Sequence, residues 1–339
     1  MIDLEKELQN YHADSISIAV IKDYQVQETL TAGPNITPHT RFQAASISKM
    51  VFALAVLRLV SEGKLALEAD INDYLGNEPL TRQDGTPAKA SVQQILAHTA
   101  GINVHGFEGY KAGESLPTTA QIIAGEPPCN SPRIYQEHMP QEHWIYSGGG
   151  YTVLQQCVEK VTQMPFVDFM DACILMPLEM QESSFRQDLT ENLAYGCEED
   201  GRPMKGGHNR MPEYAAAGLW TTPSDMARFG MHIQKILRGE KGLISQSLAQ
   251  KMITPQHSDV LNMEGTQCHT GLGCYLKTIG NEAYFGHSGS NVGFESLVNF
   301  SVNSGNGCCT FVNGNGVSPL IWKVQSMLLE KGSRYIDRL

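Results

Sequence analysis

Residues 46–61 (SISKMVFALAVLRLVS) constrain the fold more than any other stretch of this chain. Their pattern is helical, yet apolar on nearly every side, so this helix has no face to offer water. It must lie in the middle of a core. Gly63 follows as a stop signal. A helix of that kind has to be surrounded. A chain of 339 residues, 41% hydrophobic and 18% charged, has enough material to do so as one large or two interleaved domains. The run is no membrane span: its most apolar part, residues 50–57, stops at Arg58, far short of the ~20 residues a bilayer requires.

The flanking elements can be read around it. Residues 15–31 look like a hairpin, with Ile16, Ile18 and Val20 alternating and a turn at Lys22-Asp23. From 65 to about 214 short helical segments alternate with Pro- and Gly-rich loops, and few strands are convincing. Thr222-Pro223-Ser224-Asp225 opens another helix with a Thr cap, Pro at the first position and an acid in the first turn. Strands return at 294–302 and 308–312 around the turn Asn303-Ser304-Gly305-Asn306-Gly307, and an amphipathic helix closes the chain at about 319–330. Strands, then helices, then strands and a terminal helix predict an α+β fold. Residues 1–62 and 215–339 would form a discontinuous sheet domain, with 63–214 as a mostly helical domain.

Charge and cysteines narrow the function. Lys plus Arg number 25 and Asp plus Glu 36, a net charge of −11, which argues against nucleic acid or an anionic membrane as the main partner. The opening MIDLEKELQNYH carries acids where an export signal needs basic and then apolar residues. If Met1 is the native start, a cytoplasmic protein is expected, with its eight Cys as free thiols and adjacent Cys308 and Cys309 poorly suited to a disulfide. No CxxC or HExxH occurs. Cys268, His269 and Cys274 are a weak ligand cluster, so no metal is expected.

Three segments can carry chemistry. In Ser46-Ile47-Ser48-Lys49 the i and i+3 side chains share a helix face, which puts an amine beside a hydroxyl. A serine becomes a useful nucleophile when a neighbouring base takes its proton, and burial can lower a lysine enough to be that base. SxxK is a cheap pattern: Ser61-Glu62-Gly63-Lys64 repeats it at a helix end, where Gly63 spoils the face. In Trp144-Ile145-Tyr146-Ser147-Gly148-Gly149-Gly150 a tyrosine precedes a glycine-rich turn. It either pins a loop or offers its phenol to a cleft, where adjacent cations would favour the phenolate. Gly286-His287-Ser288-Gly289-Ser290-Asn291-Val292-Gly293 fits a strand edge with close backbone approach, or a surface hairpin with an incidental histidine. A GxSxG nucleophile elbow fails there, because no histidine follows His287 and the residues after Ser288 read as strand.

In order, these segments resemble the serine β-lactamase and penicillin-binding-protein superfamily, and are most similar to class C β-lactamases and family VIII carboxylesterases. The resemblance extends through FQAASISK (42–49), GKLALEADINDYL (63–75), ILAHTAGI (95–102), YSGGGYTVLQ (146–155), MPLEMQESSF (176–185), AAAGLWTTPSDMARF (215–229) and FGHSGSNVGFES (285–296). It implies a five-stranded antiparallel sheet with flanking helices, an all-helical domain, and an active site between them. It implies Ser46 as the acylated nucleophile, Lys49 as its proton acceptor or electrostatic activator, and Tyr146 as the proton relay. His287, Ser288 and Gly289 match the family's Lys-Thr-Gly strand, and the N–H groups of Ser46 and Ser290 would form the oxyanion hole. Lys277-Thr278-Ile279 is a near miss for that strand motif.

Two positions depart from the family pattern. Gly148 replaces the Asn that binds a β-lactam side-chain amide, and His287 replaces a permanently charged lysine with a mostly neutral imidazole. Both weaken recognition of acylamido carboxylates. The expectation is a serine hydrolase acting through an acyl-enzyme on esters or small amides, without cofactor. Weak β-lactamase, D-amino-acid peptidase or amidase, acyltransferase and non-catalytic sensor remain as alternatives. The expected partner is a small ester, amide or lactam; oligomeric state is not legible.

Overall fold

A computed structural model describes residues 2–261 and 267–331. Helix α1 (Leu4–Asn10), capped by the Asp3 side chain, precedes a hairpin of β1 (Ser15–Lys22) and β2 (Gln25–Ala32). The hairpin is the one expected at 15–31; its turn places Asp23 and Tyr24 at positive φ. The two-residue strand β3 (Phe42–Gln43) leads into α2 (Ile47–Ser61), and Gly63 at φ 69° follows its end. Next come α3 (Asn72–Leu75), α4 (Val92–Leu96), α5 (Thr119–Ala124), α6 (Gly148–Thr162) and α7 (Phe166–Met170), which runs into a π-helical turn at Asp171–Leu175.

The chain then passes through α8 (Tyr214–Ala217), β4 (Trp220–Thr221, paired with β3), α9 (Pro223–Leu237) and α10 (Gln246–Met252). At α9 the Thr222 hydroxyl accepts the Asp225 N–H at 3.2 Å, as the cap sequence predicts. Strands β5 (His257–Leu261), β6 (Gln267–Thr270), β7 (Tyr275–Ile279), β8 (Glu282–Asn291), β9 (Phe294–Ser301) and β10 (Gly307–Asn313) follow, and α11 (Ser318–Lys331) is last.

Eight strands form one antiparallel sheet in the order β2-β1-β10-β9-β8-β7-β6-β5. It is larger than the five strands the resemblance implies, because β7, β6 and β5 extend it beyond β8. Both faces are covered, and β1 shows how. Ile16, Ile18 and Val20 face a core with Leu4, Leu8, Leu320 and Val324 of α1 and α11, while Ala19 and Ile21 face the core built around α2. Cys308 and Cys309 are divided between the same two cores, and none of the eight cysteines forms a disulfide. In α2, 12 of 15 residues are buried, and Phe52 packs 5.3 Å from the Phe166 ring and 6.3 Å from that of Tyr151. Among the described residues no helix is long and apolar enough to cross a membrane.

Candidate active site

Ser46 stands at the opening of α2 but makes no capping hydrogen bond with its side chain. The hydroxyl is therefore free for another partner. The preceding Ala45 sits at φ 48°, a strained conformation for a residue with a Cβ, and the chain turns there to present Ser46. One helical turn on, Lys49 Nζ lies 3.0 Å from Ser46 Oγ and donates at 2.7 Å to the Ala216 carbonyl of α8. Lys49 is 1% exposed, and burial lowers its pKa to about 7. The amine can thus shed its proton near neutrality and accept one from the serine. The rival pair is disqualified: Ser61 Oγ is exposed and donates to Arg58 O, while Lys64 pairs with Glu62 at 2.8 Å.

Tyr146 arrives from the loop before α6, and Lys49 Nζ lies 4.9 Å from the centre of its ring. Its hydroxyl is buried without completing a hydrogen bond. Burial pushes the phenol's pKa up, with the Ser46 hydroxyl acting in the opposite sense. The expected phenolate is thereby corrected: the neighbouring cation itself loses charge near pH 7, so desolvation wins and Tyr146 rests as a phenol. Gly148, Gly149 and Gly150 are not a turn but the first turn of α6, capped by Ser147 Oγ accepting the Gly150 N–H at 2.8 Å. A Cβ at Gly149 would fall 2.7 Å from Asn103 O, and one at Gly148 3.0 Å from His105 O. Close packing, rather than turn geometry, accounts for those glycines.

Strand β8 forms the opposite wall. A Cβ on Gly289 would lie 2.2 Å from Ala44 O, so only glycine lets the strand pass this close to the turn that presents Ser46. Ser296 Oγ of β9 also donates to Ala44 O, at 3.1 Å. The backbone of 288–290 thus runs beside that of 44–46, where two N–H groups can face one substrate oxygen. Ser290 is exposed, whereas the Ser288 hydroxyl is buried without a partner inside the strand and sits on no elbow.

His287 is 2% exposed, with its ring 6.3 Å from that of Tyr146 and 4.9 Å from that of Tyr275. Burial, reinforced by Lys49, lowers its pKa to about 3. Because the contact of Nδ1 is with the Ser288 carbonyl, Nδ1 carries the proton and Nε2 is left as an acceptor. Lys277, the near miss, lies on β7 with its amine 4.3 Å from the Trp322 ring. Cys268, His269 and Cys274 do not converge as a ligand group.

One residue of the site was not singled out from sequence. His98, within ILAHTAGI, sits at φ 60° and holds the chain on both sides of Tyr146. Its carbonyl accepts the Ile145 N–H at 2.9 Å, its Nδ1 accepts the Ser147 N–H at 3.1 Å, and its ring lies 4.4 Å from that of Tyr146. Burial keeps the imidazole neutral, its pKa well below the ordinary value. Its signal was only a histidine after a capped helix end. His98 thus fixes the backbone on which Tyr146 is carried, and displacing a reacting group by ~1 Å costs roughly 100-fold. His98→Ala is expected to lower kcat roughly 10- to 100-fold with little change in KM. His98→Asn, which tolerates positive φ and can accept the Ser147 N–H, should recover part of it. Steady-state kinetics of both variants check this; equal losses in kcat and affinity would contradict it.

Comparison with known proteins gives the family and the fold. The sequence pattern of the beta-lactamase family matches residues 1–320. Protein flp of Staphylococcus aureus (strain N315) is 26% identical over 234 residues, 65% of this chain and 44% of that protein. Esterase EstB of Burkholderia gladioli is 29% identical over 205 residues, 57% of this chain and 52% of that one. The chain thus spans about half the length of these curated relatives. Among solved structures, the octameric penicillin-binding protein homologue from Pyrococcus abyssi superposes with a TM-score of 0.78 at 23% identity, over 96% of this chain and 75% of that one. D-amino acid amidase from Ochrobactrum anthropi SV3 gives 0.77 at 19% identity, over 96% and 95%. With a shared fold and a family pattern running almost end to end, the chain belongs to the beta-lactamase family.

Proposed function

We propose that the chain is a serine hydrolase that forms an acyl-enzyme on Ser46 and cleaves uncharged carboxylic esters or small amides. The 3.0 Å contact between Ser46 Oγ and a buried Lys49 amine with a pKa near 7 carries the reading. Ala216 O takes one N–H of the neutral amine, which leaves the nitrogen lone pair for the serine proton. Ser46 Oγ then bonds to the substrate carbonyl carbon, and the oxyanion is met by the N–H groups of Ser46 and Ser290. The carbon–oxygen or carbon–nitrogen bond to the leaving group breaks as that group takes the proton back from Lys49 through Tyr146. A water repeats the sequence in reverse, giving its proton to the same relay and restoring Ser46.

Two features favour an uncharged substrate. His287 presents an acceptor nitrogen where a lysine would present a cation, and Gly148 has no side-chain amide, with a Cβ there already tight at 3.0 Å from His105 O. A small apolar cluster of Val260, Cys268 and Tyr275 packs with Trp144 and Tyr146 beside the site, which suits an apolar substituent. The esterase among the relatives supports esters as the first class to test.

The test is a panel of p-nitrophenyl esters, D-amino acid amides and a chromogenic cephalosporin. Ester turnover should exceed cephalosporin turnover; an enzyme active on the cephalosporin alone would overturn the reading. His287→Lys restores a cation, and a charge-assisted contact is worth roughly tenfold. That variant should shift the ratio of carboxylate-bearing to neutral substrate turnover upward by roughly tenfold. An unchanged ratio counts against His287 as a selectivity residue.

A further inference from the structure

The loop that leads into Tyr146 carries a second group of side chains that the chemistry above does not use. His138, Glu142 and His143 each bring one ligand atom to a common point, all within 4.8 Å of one another. The two imidazoles stand edge to face, with centroids 5.3 Å apart. We propose that His138, Glu142 and His143 bind one divalent transition-metal ion of the zinc class.

Zinc accepts His nitrogen and Glu oxygen at about 2.0–2.2 Å, which puts neighbouring donors roughly 3.3 Å apart. Side-chain rotation alone can close the gap from 4.8 Å, because the backbone that carries these residues is already tied down. The N–H groups of Glu137 and His138 both donate to Gly101 O, at 2.8 and 3.1 Å, and Gln141 N–H donates to Thr99 O at 2.8 Å. Met139 N–H donates to Glu142 Oε2 at 3.1 Å, while Glu142 N–H returns to Met139 O at 3.2 Å. That reciprocal turn tethers the Glu142 carboxylate by one oxygen and leaves the other for a ligand. Gly101 makes the close approach possible, since a Cβ there would lie 2.3 Å from His138 O.

The donor set chooses the ion. Two imidazoles and one carboxylate suit Zn²⁺, Co²⁺ or Ni²⁺, whereas Ca²⁺ and Mg²⁺ take oxygen ligands. A second carboxylate is at hand: Glu137 Oε2 lies 3.9 Å from His138 Nε2. If Nδ1 binds the metal, Glu137 orients the other ring nitrogen; if Nε2 binds, Glu137 is within reach as a fourth ligand. The net charge of −11 favours cation binding in general. The His-x-x-x-Glu-His spacing matches neither CxxC nor HExxH, so a search for the usual metal patterns passes over it.

The experiment titrates Co²⁺ into metal-free protein, because its visible absorption separates imidazole–carboxylate from thiolate coordination. One Co²⁺ per chain without thiolate absorption is expected, displaced by Zn²⁺, with Zn²⁺ also raising the melting temperature. Removing even an outer-shell partner of a metal typically costs 10- to 100-fold in affinity, so His138→Ala and His143→Ala should each lose about tenfold or more. Metal-free melts matching the parent establish that these variants, one at a half-buried and one at an exposed position, fold. Cys129→Ser removes the one cysteine that is not fully buried and should leave the titration unchanged. Thiolate absorption, unaltered binding in the histidine variants, or no saturable binding would each overturn the site.

Discussion

Ser46→Ala removes ester turnover almost completely, by about 10⁴-fold or more, while the folded protein and its melting temperature change little. The size follows from the role: deleting a covalent nucleophile leaves only what binding and the oxyanion hole supply. Little loss of stability is expected, because the Ser46 side chain caps nothing and contributes one hydrogen bond, to Lys49. Two controls sharpen the result. Ser61→Ala alters an exposed hydroxyl at the far end of α2, and Ser288→Ala removes a buried hydroxyl with no partner; both should keep most of the activity. Initial rates on one p-nitrophenyl ester across the three variants decide it. A Ser46→Ala protein with more than a few per cent of parent turnover would mean that another group is acylated.

Lys49 should show itself through both rate and stability. As the base, the amine works only when neutral, and its pKa is lowered to about 7. The ester kcat/KM should therefore climb with pH, level off above about 7, and fall roughly tenfold per unit on the acid side. Lys49→Ala should lose about 10³-fold and the limb with it. The stability effect has the opposite sign. Lys49 has a lower pKa folded than unfolded, so between about 7 and 10.5 the unfolded chain binds more protons. The penalty for burying the amine is complete below pH 7 and fades as pH rises toward 10.5. Lys49→Met, similar in length and uncharged, should therefore stabilise the protein at pH 6, on the order of 3 kcal/mol, and much less at pH 10. Urea unfolding at the two pH values measures it. An inactive variant that is less stable at pH 6 would contradict the account of a desolvated amine held for its reactivity.

Much of this was legible because the physics was local. A run without a polar face has to be a central helix, and α2 is one. The Thr222 cap and the turn chemistry at 303–307 mark their elements by themselves, and SxxK places Ser46 against Lys49 through helical spacing alone. What the sequence concealed depended on distant neighbours. Strands β5 to β7 are short, so their addition to the sheet rests on successive pairing, β7 on β8, β6 on β7 and β5 on β6. The three glycines at 148–150 have poor helix propensity, and it is distant neighbours pressing on α6 that account for them: the carbonyls of His105 and Asn103 at Gly148 and Gly149, and the Ile95 side chain at Gly150. The direction of the Tyr146 shift needed its burial, and the grip of His98 on the same loop needed two hydrogen bonds from residues almost fifty positions away.

The central claim is a transient covalent intermediate on one hydroxyl, and rapid acid quench followed by intact-mass and peptide analysis tests it directly. With a slow p-nitrophenyl ester in excess, the protein should gain the mass of one acyl group, located on the peptide that holds Ser46. The adduct should disappear as the ester is exhausted. An acyl group on a different residue, turnover with no adduct at any time, or an adduct on Ser46 that never clears would contradict the account.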